Sequence, residues 1–368
     1  MPRPTQILID LQALRNNFAL ACSLATNSRN IPIIKANAYG HGMVEVAHAL
    51  SGQAPAFGVA SIQEALTLRE AGIKQPILLL EGIFTDNEIA TSEENNFWLT
   101  VENRHQLDAL LRAKIKRPLT TWLKIDTGMH RLGIQPDEFT TIYQQLKSSN
   151  NIREEIIVSS HFACADEPSN PLTKKQIQCF EQTVAGLQAP QSLANSAGIL
   201  AWPEAHRDWN RPGIMLYGSS PFNGIQNNDI MSSTGQLQAV MTFKSAVISV
   251  RRIAAGETVG YGATWTADQP ATIATVAVGY GDGYPRHAPN GTPVLVNGVR
   301  CPLAGRVSMD MITIDVSNLE KVAIGDEVIL WGSQLPVNEI ADSSGTIGYE
   351  LLTRIPARPS RTYLNKLP

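Results

Sequence analysis

No apolar run in the 368-residue chain approaches the roughly 20 residues that cross a bilayer, which argues against a membrane-spanning helix. The opening MPRPTQILIDLQ lacks the long apolar core and small-residue cleavage site of a secretory leader, so export is not expected. The four cysteines, Cys22, Cys164, Cys179 and Cys301, show no CxxC spacing, which argues against a zinc cluster and suits a reducing compartment. No metal is expected. The formal charge of −3 carries no basic excess for nucleic acid, and no charged tail suggests an interaction arm. Internal repeats and low-complexity segments are also missing. These absences leave a cytoplasmic protein that acts on something small, with neither nucleic acid nor membrane as a partner.

Present instead are 43% hydrophobic residues and a length that suits two domains better than one. The first two-thirds alternates short apolar runs with amphipathic helical patterns. TQILID precedes LQALRNNFALACSLA, IPIIKA precedes a helix from Met43 to about Ser51, and AFGVAS precedes IQEALTLREAG. PILLLEG, FWLTVEN, TWLKID, EIIVSSHFA, SLANS and IMLYGS continue the series. Such alternation means βαβ units and a parallel sheet, and about eight of them fit a (β/α)8 TIM barrel. A doubly wound open sheet satisfies the same pattern less well. After Phe222, NGIQNNDIMSSTGQ reads as a linker. Beyond it the helical period gives way to strand-like runs separated by Gly, Asn and Asp turns. The expected organisation is an α/β barrel over 1–232 and a smaller, mostly β C-terminal domain over 233–368.

In a barrel of this kind the active site lies at the C-terminal ends of the strands. Polar residues gather there. Lys35 ends IPIIK, Lys124 and Asp126 end TWLKID with Arg131 just beyond, His161 ends EIIVSSH, Asn195 and Ser196 end SLANS, and Arg211 and Gly213 precede IMLYG. Each has an ordinary reading: a lysine reaching the surface or pairing with an acid, a histidine satisfied in the core, a tight turn. Their convergence favours a site. An ammonium at the end of a β-branched apolar run is costly unless paired or neutralised, and a lysine of lowered pKa attacks carbonyls to form a Schiff base. Pyridoxal 5′-phosphate (PLP) requires such a lysine, a phosphate cradle and a partner for its ring nitrogen. Asn195-Ser196-Ala197-Gly198 and Arg211-Pro212-Gly213-Ile214 offer the hydroxyl, N–H groups and close approach that a phosphate needs.

Over essentially its whole length the sequence resembles the PLP-dependent alanine racemases. The resemblance is carried, in order, by IIKANAYGHG, WLKIDTGMHRLG, SHFACAD, ANSAG, RPGIMLYG, VGYGATW, GYGDGYPR, AGRVSMDM and GTIGYELL. It implies that Lys35 bonds the cofactor and is one catalytic base. Tyr261, which alone would read as an exposed turn aromatic, is then the other base and comes from the second subunit of a homodimer. Tyr39, Ser196, Gly213, Ile214 and Tyr349 hold the phosphate, with Asn195 beside them. Arg211 faces the pyridine nitrogen, and His161 packs near the ring. Arg131 and the partner's Met309 hold the alanine carboxylate. Lys124 matches a carbamylated lysine that positions Arg131, and Asp166, Arg286, Arg306 and Ile347 match an access corridor with Asp310 nearby. The implied reaction is a two-base interconversion of L- and D-alanine, serving peptidoglycan or alanine catabolism. Ser308 stands where cysteine is common in relatives, and TRIPARPSR is assigned no role. Alternatives are a racemase of broader specificity and a non-catalytic PLP-binding protein.

Overall fold

Short apolar strands alternating with one-sided helices close into a ring. The computed structural model describes residues 3–222 and 236–366. Eight strands, at Arg29–Asn30, Phe57–Val59, Ile77–Leu79, Phe97–Val101, Leu119–Lys124, Ile152–Ser159, Gln191–Ser192 and Trp209–Asn210, pair in parallel around the ring. A bridge between Ile33 and Gly58 links the first of them to the second and completes the barrel. Trp98, Trp122 and Trp209, on three different strands, pack with ring centroids 5.6 to 6.4 Å apart and fill the interior. The open space is therefore at the strands' C-terminal end. Helices cover the outside. Leu11–Leu24 shows the local logic: the Asp10 carboxylate accepts from Gln12 N and Ala13 N, and Leu11, Leu14, Phe18 and Ala21 face the core at helical spacing.

The second sheet holds eight strands, including Met241–Ile253, Ala271–Val276, Pro293–Val296, Ile312–Asp315 and Glu327–Trp331. It corrects one expectation. TQILID is a strand, Gln6–Asp10, but not of the barrel: it lies between Met241–Ile253, to which it is antiparallel, and Ser360–Leu364, to which it is parallel. The barrel's last strand is Trp209–Asn210, and IMLY, expected as that strand, is a 3-10 turn over Ile214–Tyr217 that buries all four side chains. Two short helices, Val337–Ser343 and Gly348–Thr353, interrupt the β-rich half. The expected linker at 223–236, apart from Gln236, and the divide at 232/233 lie outside the described residues. Among the described residues no helix is long and apolar enough to cross a membrane.

Candidate active site

A cavity of about 750 Å³ opens at the C-terminal end of the barrel. Lys35, Tyr39, Lys124, Arg131, His161, Asn195, Ser196, Arg211, Gly213, Ile214, Ile347 and Tyr349 all line it. The barrel strands deliver most of these. Helix Gly348–Thr353 of the second half folds over the mouth and brings Ile347 and Tyr349.

Lys35 begins a turn that the sequence hides. Ala36, Asn37, Ala38 and Tyr39 have φ between 51° and 53°, so the backbone makes a turn of left-handed helix without a glycine among them. Each such residue costs roughly 1–2 kcal/mol, and strain of this kind persists only where its surroundings enforce it. Here Glu64 accepts from Ala36 N at 2.7 Å and from Ala60 N at 2.8 Å. Asn37 Oδ1 accepts from Met43 N at 2.9 Å. Behind the turn, buried His41 stacks on Tyr217 at 4.5 Å, and Tyr217 stacks on Tyr39 at 4.8 Å. The turn thereby aims Lys35 and Tyr39 into the cavity from one short segment.

The opposite wall carries hydroxyls and amides. Asn195 Oδ1 accepts from Gly198 N at 2.9 Å and fixes the start of the turn that presents Ser196. Ser196 Oγ accepts from Gly213 N at 2.8 Å and Met215 N at 3.3 Å. A Cβ on Gly213 would stand 2.8 Å from the Tyr39 hydroxyl, so the cradle between them requires glycine. Burial raises the Tyr39 hydroxyl to about 12 and pushes Tyr349 up as well, so both remain protonated donors. The Ser196 and Tyr39 hydroxyls at a bare glycine, with Tyr349 lining the same cavity, suit a phosphate.

Arg211 is buried and held by Ser192 Oγ, by Ser160 O at 2.6 Å and by Leu193 O at 3.1 Å. Burial lowers it to about 10, and it stays cationic at neutral pH. His161 is driven well below its usual range by burial and then by the Arg211, Lys124, Arg131 and Lys35 cations, so its imidazole is neutral. An amine, a hydroxyl cradle and a fixed cation around one apolar-floored space fit a flat phosphorylated heteroaromatic such as PLP.

Arg131 rides on a pinned loop. The Asp126 carboxylate accepts from Gly128, Met129 and His130 N, each at 3.0 Å, and Ile134 N donates to Lys124 O at 2.9 Å. A Cβ at Gly133 would lie 2.6 Å from Asp126 N, so only glycine closes this loop. Lys124 is paired: its Nζ donates to Glu102 Oε2 at 2.9 Å, and both side chains are largely buried. Glu102 and Glu64 were not singled out from the sequence. Glu102 carries the same signal as Lys124, a charge directly after an apolar strand.

Tyr261, Met309, Asp310, Asp166, Arg286 and Arg306 do not line the cavity of their own chain. Tyr261 is 71% exposed and Met309 53%. Gly262 packs against the Arg306 guanidinium, a Cβ there lying 3.3 Å from it. Asp310 pairs with Arg358, and its carbonyl accepts from Arg3 at 2.7 Å.

The description "Alanine racemase, N-terminal domain" matches residues 9–221, and "Alanine racemase, C-terminal domain" matches 240–363. An alanine racemase from Chromohalobacter salexigens is 49% identical over 365 residues, 99% of each chain. A catabolic alanine racemase from Pseudomonas putida is 47% identical over 364 residues, 99% of this chain and 100% of that one. The crystal structure of biosynthetic alanine racemase from Pseudomonas aeruginosa superposes with a TM-score of 0.94 at 46% identity, covering 98% of this chain and 99% of that one. With both halves matched, and the barrel cavity carrying the lysine, arginine and hydroxyl cradle, the chain belongs to the alanine racemase family.

Proposed function

We propose that the chain interconverts L- and D-alanine with PLP bound at Lys35, and that two chains share their active sites. The observation that carries this is the convergence of Lys35, the Ser196–Gly213–Tyr39 cradle, Arg211 and Arg131 on one cavity. When bound, PLP supplies an electron sink that makes the α-proton of the amino acid removable. The residues do the rest. Ser196, Tyr39, Tyr349 and the Gly213 and Ile214 segment hold the phosphate, with Asn195 fixing the turn. Arg211, cationic at neutral pH, would face the ring nitrogen without giving it a proton, which would keep the sink weak and disfavour side reactions. His161, neutral, would pack beside the ring. Arg131 offers its planar fork to the alanine carboxylate.

Inversion needs a proton-transferring group on each face of the α-carbon. Lys35 serves one face. The other belongs to the partner subunit's Tyr261, consistent with the exposure of Tyr261 and Met309 away from their own cavity. The partner subunit's Met309 backbone completes the carboxylate site, with Asp310 behind it. Asp166, Arg286, Arg306 and Ile347 line the approach. In this reading 1–232 is the cofactor-binding unit and 233–368 the unit that reaches the partner, with strand Gln6–Asp10 crossing to the second.

The test is proton NMR of L-alanine with the PLP-loaded protein in D2O. D-alanine should appear with deuterium at the α-carbon, and Lys35→Ala should abolish both exchange and inversion. Lys35→Ala and Tyr261→Phe chains, each inactive alone, should recover activity when mixed. Exchange without inversion would defeat the two-base reading, and failure to recover on mixing would defeat shared sites.

A further inference from the structure

A fully buried carboxylate lies behind Met309. Asp282 ends a single 3-10 turn, Tyr280–Asp282, and its side chain is 0% exposed. A carboxylate at that depth requires cations and N–H donors, and three separate segments bring them. Oδ2 accepts from Arg3 Nη2 at 2.7 Å and from Gly279 N at 2.9 Å. Oδ1, without a hydrogen bond, lies 3.3 Å from Arg358 Nε. Both arginines also reach one exposed residue. Arg3 Nη2 donates to Asp310 O at 2.7 Å, and Arg358 Nη2 donates to Asp310 Oδ1 at 2.5 Å. The turn capped by Asp282 grips the same loop by its backbone: Tyr280 N donates to Ser308 O at 3.0 Å, and Gly281 N donates to Met309 O at 2.9 Å. A Cβ on Gly279 would overlap the Ser308 and Met309 backbone, so only glycine lets the turn lie this close. Ser308 O and Met309 N belong to one planar trans peptide, so holding the oxygen aims the N–H the opposite way. Among the described residues nothing accepts from that N–H.

We propose that Asp282 is a positioning residue for alanine in the active site of the other subunit, where it fixes the direction of the Met309 N–H that meets the substrate carboxylate. This rests on the role of Met309 proposed above. Asp282 touches no substrate. It acts through the Gly279–Gly283 turn, which holds the Ser308 and Met309 carbonyls, and through Arg3 and Arg358, which hold Asp310 on the far side of the same N–H. Two carboxylates and two guanidiniums alternate in this cluster, so it is neutral as a whole and each cation is shared between two anions. Without the Asp282 charge the turn loses its cap, and two guanidiniums face one remaining carboxylate. The cluster also gives TRIPARPSR a part, since Arg358 lies in it. The Met309 N–H binds a carboxylate whose charge does not change when the α-proton moves. Its misplacement therefore weakens substrate and transition state alike, and appears in KM rather than in kcat.

The experiment compares PLP-loaded wild type and Asp282→Asn by alanine kinetics and by hydrogen exchange. Asp282→Asn should raise KM for alanine about 10-fold, the lower end of what a hydrogen bond to a charged group contributes, with a much smaller change in kcat. Mixed with an excess of Lys35→Ala, the variant should return to the wild-type KM. The one working site of that mixed dimer takes its Met309 from the Lys35→Ala chain, whose Asp282 is intact. A defect confined to the variant's own fold would stay with its own Lys35, so a KM that remains raised overturns the proposal, as does an unchanged KM in Asp282→Asn alone. The mixture of Lys35→Ala with Tyr261→Phe, run beside it, separates the two readings: if it stays inactive the shared sites fail, and if it recovers while KM stays raised only the role of Asp282 fails. Hydrogen exchange needs no turnover. The Tyr280 and Gly281 amides should exchange about 10-fold faster in Asp282→Asn, and wild-type rates there overturn the proposal whether or not the protein racemises alanine. Should Asp282→Asn not fold, Arg3→Gln, at a side chain 34% exposed, carries both readouts in the same direction, and wild-type values in it overturn the proposal equally.

Discussion

His41 shows how much a single residue here depends on its surroundings. It is fully buried, its Nδ1 lies 2.9 Å from Tyr39 O and 3.0 Å from Ala38 O, and its Nε2 has no partner. Burial lowers it from 6.5 to about 4, with the nearby Arg361 cation acting in the same direction. The unfolded chain thus binds a proton near pH 6.5 that the folded chain refuses until about pH 4. The stability due to neutral His41 is complete above pH 6.5 and is lost as pH falls toward 4. Between pH 7 and pH 5 the loss is about 2 kcal/mol. Urea denaturation at the two values should show it, and His41→Asn should shrink the difference by that amount. A variant with wild-type pH dependence would count against this account. His161, also driven down, adds a loss of the same sign.

At the scale of elements, the left-handed turn after Lys35 reverses the usual rules of substitution. In an ordinary helix, glycine for an exposed alanine costs about 1 kcal/mol. At Ala36, exposed and at φ 52°, the same change relieves backbone strain and should be neutral or stabilising by up to about 1 kcal/mol. Gly40→Ala should do the opposite. Its φ is +82°, and a Cβ there would overlap the Leu352 carbonyl oxygen in the helix that carries Tyr349. A loss of several kcal/mol, read from the thermal midpoint with weaker PLP retention, is the expected outcome.

The same segment marks how far local pattern reaches. Period and strand-end chemistry located the barrel and the lysine, because parallel strands read as apolar runs and their last residues face the site. The handedness of KANAY was not legible, since no glycine betrays positive φ and the enforcing contacts come from Glu64 and Asn37. IMLY has the composition of a strand but turns because Gly213 and Gly218 bracket it and its side chains all find burial. Glu102 went unnoticed because an acid after an apolar run usually just ends the strand. Only the register with Lys124 gives it a partner.

Across the whole molecule, the first strand ties the two halves together. Gln6–Asp10 leads directly into the barrel's first helix, yet it occupies an inner place in the second sheet. Removing residues 1–8 would leave every barrel strand in place and open that sheet along both neighbours. The expected result is loss of the cooperative unfolding transition together with loss of bound PLP, because Tyr349 comes from the second half. A shortened chain that unfolds like wild type and keeps PLP would show that the halves stand independently.

That strand also sets the order of events on the ribosome. Synthesis delivers Gln6–Asp10 well before its antiparallel neighbour Met241–Ile253, and Ser360–Leu364 later still. A nascent barrel can close while its leading strand still displays two unpaired edges, the feature most prone to pairing with a wrong chain. The interval between the making of Gln6–Asp10 and that of Ser360–Leu364 is therefore when mispairing of this strand is most open to the chain.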